Sequence, residues 1–85
     1  MIIKEYFSDP KHWCQGKYAS FSGNKIYAMC LSGAIMMKYR EDDWRKIFDC
    51  TATHIKENYG YDSIVKFNDA VNYDTVMEVV ERLNL

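Results

Sequence analysis

The chain has 85 residues, 48% hydrophobic and 15% aromatic, with a net charge of −1 from 11 basic and 12 acidic side chains. That length fits one small domain, which buries roughly 60% of the surface its unfolded chain would expose, and its single Pro and four Gly exclude a disordered or low-complexity chain. Interspersed charges of both signs give no electrostatic case for nucleic acid, and no apolar run approaches the ~20 residues that span a bilayer.

Taken in order, Ile2, Ile3, Tyr6 and Phe7 carry the i, i+1, i+4, i+5 spacing of a short helix with one apolar face, with a short N-terminal strand as the alternative. The opening MIIKEYFSDP has neither the apolar core nor the cleavage site of a signal peptide. Asp9-Pro10 is a helix start signal, Asp9 as cap and Pro10 in the first turn, so the sequence predicts one or two turns over 10–15, closed by Gly16. Ser22-Gly23-Asn24 is a turn signal.

From Ile26 to about Tyr39 the expected element is a helix, with Tyr27, Cys30, Leu31, Ala34 and Met37 on its repeat. Gly33 costs up to ~1 kcal/mol in mid-helix and is tolerated where another element comes close. Gly33 and Ala34 are expected to form a notch that receives Trp13. Asp42 or Asp43 is expected to cap a longer helix that runs to about Tyr59 and stops at Gly60, with Trp44, Ile47, Phe48, Thr51, Ile55 and Asn58 on one stripe. Asp62 and Ser63 are candidate caps for a short helix over Ile64–Asn68. Thr75-Val76-Met77-Glu78 has the form of a capping box that launches a last helix with Val76, Val79, Val80 and Leu83 on one face.

These motifs, Asp9-Pro10, Trp13-x-Gln15-Gly16-x-Tyr18-Ala19, Gly23, Cys30-x-x-Gly33-Ala34 and Phe67-Asn68-Asp69, resemble a family of small bacterial and phage proteins defined only as a domain of unknown function. The resemblance spans residue 9 to the last helix. It implies a compact helical domain frequent in phage and prophage genomes, with no assigned chemistry and no catalytic residues to carry over. The chain departs from the pattern at Ile64–Phe67, where members often carry Trp before Asn-Asp. Its short connection between Ala19 and Cys30 suggests a trimmed, viral version.

Two chemical constellations are conceivable. Cys50 and His54 stand four apart on one helix, a spacing at which thiolate and imidazole can share a zinc ion, but no Cys-x-x-Cys knuckle supplies the other ligands. A thiol enzyme would use Cys14 or Cys30 as nucleophile, His12 or His54 as base, and Asn68 or Asp69 to orient the imidazole. None of the local signatures of such enzymes is present. For Asn68-Asp69 the simpler role is turn chemistry, Asn68 ending its helix and Asp69 capping the turn that follows. DNA contact through the third helix is disfavoured by its mixture of Arg45, Lys46 and Lys56 with Asp43, Asp49 and Glu57.

Met29, Met36, Met37 and Tyr39, with Tyr18, Phe21 and Tyr27 nearby, exceed what one apolar stripe buries, and Tyr and Met are enriched at protein interfaces. The expected protein is therefore all-α, a bundle of four to five short helices around Trp13, Leu31, Ile35, Trp44, Phe48, Ile55, Phe67, Val76, Val80 and Leu83. Its expected role is a non-catalytic interaction domain without cofactor, contacting itself as a homodimer or a host protein through Met36, Met37, Tyr39, Tyr18 and Phe21. Three cysteines, an odd number, suit the cytoplasm.

Overall fold

The computed structural model describes residues 2–40 and 44–85. The expected caps Asp42 and Asp43 lie outside the described residues. Helix α1 (Ile2–Tyr6) leads into a 3₁₀ turn (Pro10–His12), then strands β1 (Ala19–Ser22) and β2 (Lys25–Met29). Helices α2 (Leu31–Lys38), α3 (Trp44–Tyr59), α4 (Ile64–Ala70) and α5 (Tyr73–Arg82) follow. The all-α expectation is thus corrected: among the described residues five helices are joined by an antiparallel hairpin.

The correction falls on 26–29, expected as the first turn of a helix. Gly23 takes φ 63°, and Gly23-Asn24 is a two-residue loop of the kind that matches the twist of a hairpin. Ile26 and Tyr27, β-favouring residues, then continue as strand rather than helix. Ser22 pairs with Lys25, Phe21 with Ile26, Ser20 with Ala28 and Ala19 with Met29, so Tyr27 is the extra residue of a bulge. The helix starts only at Leu31, with Cys30 as N-cap, its sulfur accepting the Gly33 N–H at 3.3 Å.

Other boundaries follow their caps. Asp9 accepts the Lys11 N–H, but the 3₁₀ turn ends at His12, short of the expected Gln15. Ser63 caps α4, which runs on to Ala70 rather than stopping at Asn68. Asn72, not Thr75, caps α5, its Oδ1 taking the Thr75 N–H at 2.9 Å, so the expected capping box lies one turn inside the helix.

The core is built from Ile3 and Phe7 of the N-terminal segment, Met29, Leu31, Ala34 and Ile35 around the start of α2, Ile55 of α3, Ile64 and Phe67 of α4, and Val76, Val79 and Val80 of α5. Trp13, Phe48 and Leu83 are half-buried against it. Trp44, expected in the core, instead packs edge-on against Phe48, with ring centroids 6.0 Å apart, outside that cluster. The C-terminal tail closes the bundle: the Leu85 carbonyl accepts the Ile3 N–H at 2.8 Å and the Tyr39 hydroxyl at 2.8 Å.

Candidate functional site

The Trp-x-Gln-Gly and Asn-Asp motifs meet. Trp13 forms a parallel bridge to Met29, and the Cys14 N–H donates to the Met29 carbonyl at 3.2 Å, so the 13–16 loop lies along the outer edge of β2. Opposite it, Asn68 projects from α4 and is fully buried. Its Oδ1 accepts the Trp13 indole N–H at 2.6 Å and the Leu31 backbone N–H at 2.9 Å, while its Nδ2 donates to the Cys14 carbonyl at 3.0 Å and to Asp69 Oδ1 at 3.2 Å. Two donors on one side and two acceptors on the other fix the amide's orientation. A buried amide with both lone pairs and both hydrogens engaged is satisfied and offers nothing to a ligand.

Gln15 and Gly16 extend the lock. Gln15 Nε2 donates to the Asn68 carbonyl at 3.0 Å and the Val71 carbonyl at 2.8 Å, tying the loop to the end of α4. Gly16, at φ 78°, donates its N–H to Asp69 Oδ1 at 2.9 Å. The sequence expectation that Asn68 ends its helix and Asp69 caps the next turn is therefore replaced: both side chains reach across more than fifty residues of chain to hold the Trp13 loop.

Gly33 has a different role from the expected notch for Trp13. A Cβ placed there would stand 2.7 Å from the Tyr18 carbonyl oxygen, so the glycine admits the backbone at the hairpin root. That carbonyl accepts the Cys30 N–H at 3.0 Å, which makes the close approach part of the strand-to-helix junction.

The side chains that an alternative thiol-enzyme reading would need have other partners. Burial pushes the Cys14 and Cys30 thiols up, away from the thiolate a nucleophile needs. His12 stacks on Tyr6 at 4.7 Å with its Nδ1 2.7 Å from the Tyr6 carbonyl, and His54 pairs with Asn58 on α3. Of the two candidates to orient an imidazole, Asn68 is fully engaged elsewhere and Asp69 Oδ1 holds the Gly16 N–H and the Asn68 amide. Cys50 and His54 share a groove wall with Asp49, Glu57 and Leu83, yet among the described residues no three of His, Cys, Asp and Glu are grouped to hold a metal ion. A larger groove of about 460 Å³ between α3 and α5 is lined by His54, Asn58, Tyr59, Glu78, Glu81 and Arg82, with the Tyr59 hydroxyl donating to Glu78.

The expected interaction residues divide. Tyr39 is half-buried and spends its hydroxyl on Leu85, and Met36 is half-buried on α2. The exposed members are Phe21 (66%), Tyr18 (58%) and Met37 (45%), joined by Tyr27 (46%) and Ile26 (38%), which the sequence had placed in a helix. Ile26 and Met37 line one groove of about 310 Å³ with Tyr6, Met29, Lys38 and Arg40, and Phe21 is the cross-strand partner of Ile26. The sequence carries a further signal for this surface: residues 10–40 hold Lys11, Lys17, Lys25, Lys38 and Arg40 with no Asp or Glu, while all 12 acids lie elsewhere.

No helix among the described residues is long and apolar enough to cross a membrane. No curated protein matches the chain, and no solved structure matches it. A family model does match, over residues 3–84, and the chain therefore belongs to the family described as "Family of unknown function (DUF6197)".

Proposed function

We propose that this protein is a non-catalytic interaction domain, acting in the cytoplasm and of phage or prophage origin, whose contact surface is the hairpin with the neighbouring Met37. The observation that carries this is the concentration of large exposed apolar side chains, Tyr18, Phe21, Ile26 and Tyr27 in the hairpin and at its root, with Met37 on α2. Burying each such side chain against a partner is worth roughly 1.5–3 kcal/mol before the costs of association. The phage origin follows the sequence resemblance, and the cytoplasmic placement suits three free thiols.

A non-catalytic role is supported by the fate of the polar motifs. Trp13, Gln15, Gly16, Asn68 and Asp69 hold one another, and both engaged cysteines are kept as thiols. The partner is a protein, either a second copy or a different chain. The test is association measured for the wild type, Phe21→Ser and Glu57→Ala, by light scattering alone and by affinity capture from a host lysate. The expected result is a complex that Phe21→Ser loses and Glu57→Ala retains. Complexes that ignore Phe21→Ser, or a wild type that associates with nothing, overturn it.

A further inference from the structure

The geometry points to an extended, acidic segment of another protein adding as a third strand along the outer edge of β1. This rests on the hairpin being the contact surface and names what that surface takes. The Cys30 N–H donates to the Tyr18 carbonyl, so Tyr18–Cys30 carries one ladder bond. Its neighbour Ala19–Met29 is then a non-hydrogen-bonded pair, whose N–H and C=O groups point out of the ladder. On β2 the outward Met29 carbonyl is covered, because it takes the Cys14 N–H. On β1 the outward groups of Ala19 have no hydrogen-bond partner among the described residues. The same holds for Phe21, one pair before the Ser22–Lys25 pair that closes the loop.

The structure is therefore asymmetric: on β2 the Trp13 loop covers the edge at Met29 and the Tyr6 hydroxyl takes the Tyr27 carbonyl, whereas among the described residues nothing covers the edge of β1, four residues long. Such an edge, flanked by side chains that seat alternate residues of a peptide, is the requirement for strand addition. Tyr18 and Phe21 supply the flanking side chains.

Charge selects the occupant. Lys17 and Lys25 bracket β1, both are exposed, and neither forms an ion pair among the described residues. The hairpin has no acid, and Asp69 at its root is held by Gly16 and Asn68. A second copy adding antiparallel on β1 would gather Lys17 and Lys25 of both chains on one strip with nothing to offset them, an arrangement that disfavours pairing. An acidic strand meets the same lysines with attraction. Basic and aromatic side chains together also suit single-stranded nucleic acid, but stacking makes no use of the open main-chain groups of Ala19 and Phe21.

The test is selection of a displayed random 12-residue peptide library on the full chain, with affinities of the recovered peptides then measured. The expected peptides alternate apolar residues with Asp or Glu. N-methylation of a ladder amide should weaken each by roughly fivefold to tenfold, N-methylation of its outward neighbour should not, and Lys17→Glu with Lys25→Glu should weaken binding by about tenfold. Thermal melting shows that the variants remain folded. Peptides without acidic excess, binding indifferent to N-methylation or to the lysine reversals, or an empty selection overturn the proposal. So do a Phe21-dependent homodimer, and a dT12 oligonucleotide that competes at the same surface. Binding that needs Phe21 but tolerates N-methylation and charge reversal defeats the strand-addition inference while leaving the hairpin as the contact surface. Association that ignores Phe21 defeats both.

Discussion

The Trp13 loop against α4 and the β1–β2 hairpin lie on either side of the same strand, and they handle their polar and apolar groups in opposite ways. At the loop every polar group of Asn68 is buried and paired, and the neighbouring Gln15, Gly16 and Asp69 complete the set. At the hairpin Phe21, Tyr18 and Tyr27 stand in solvent beside an unpaired main-chain edge. The polar motif that most resembles a ligand site is a structural lock, because the hydrogen-bonding capacity of Asn68 is used up inside the protein. The region that looks like a plain turn carries the surface that folding does not consume.

The largest effect is expected at Asn68. Asn68→Ala leaves the Trp13 indole N–H, the Leu31 N–H and the Cys14 carbonyl without their partner in a buried site, and is expected to cost about 3 kcal/mol or more. Thermal unfolding should fall by roughly 12 °C or more for a domain of this size. Asn68→Asp keeps the acceptor but sets a carboxylate against the Asp69 carboxylate and the Cys14 carbonyl, so it should be destabilised most at neutral pH and partly recover in acid.

Next is Gly33→Ala, whose Cβ meets the Tyr18 carbonyl at 2.7 Å. A cost of about 1–3 kcal/mol by urea unfolding is expected as the hairpin root shifts, with amide exchange faster at Cys30, whose N–H bonds that carbonyl. Gln15→Ala, at the exposed end of the lock, should cost only about 1 kcal/mol.

Smaller still is the effect of alkali. Burial raises the folded-state pKa of Cys14 and Cys30, so the folded protein holds these protons more tightly than the unfolded chain. The stability they contribute is complete below the ordinary thiol value of about 8.5 and declines as pH rises through the raised values. Urea midpoints measured from pH 7 to pH 10 should fall, and the Cys14→Ser, Cys30→Ser double variant should fall less. In thiol labelling at pH 7 the exposed Cys50 should react first and the buried Cys30 last. Smallest is Phe21→Ser, which should shift stability by no more than about 0.5 kcal/mol while removing partner binding.

Much of the helical framework was legible in the chain. The apolar spacing of Ile2, Ile3, Tyr6 and Phe7 and the stripe through Ile47, Thr51 and Ile55 correspond to α1 and α3, because amphipathic periodicity reports burial directly. Ser63 and Gly60 marked real boundaries for the same local reason: caps act on their own backbone. Residues 26–29 depart from the helical expectation because Tyr27, Cys30, Leu31 and Ala34 fit a helical repeat only over a short window, whereas Gly23-Asn24 beside them is the loop of a hairpin.

Local patterns in the chain thus place helices with their own periodicity and show that residues 10–40 carry five basic side chains and no acid. What the motifs do is set by contacts between segments far apart in the chain. Asn68 lies 55 residues from Trp13 and 37 from Leu31, and no local pattern reveals that one amide satisfies both. Gly33 faces the Tyr18 backbone rather than a side chain, a clearance that exists only once the hairpin has folded back on α2. The open edge of β1 was equally invisible, since whether a strand's outer groups are covered depends on the Trp13 loop having chosen β2 instead.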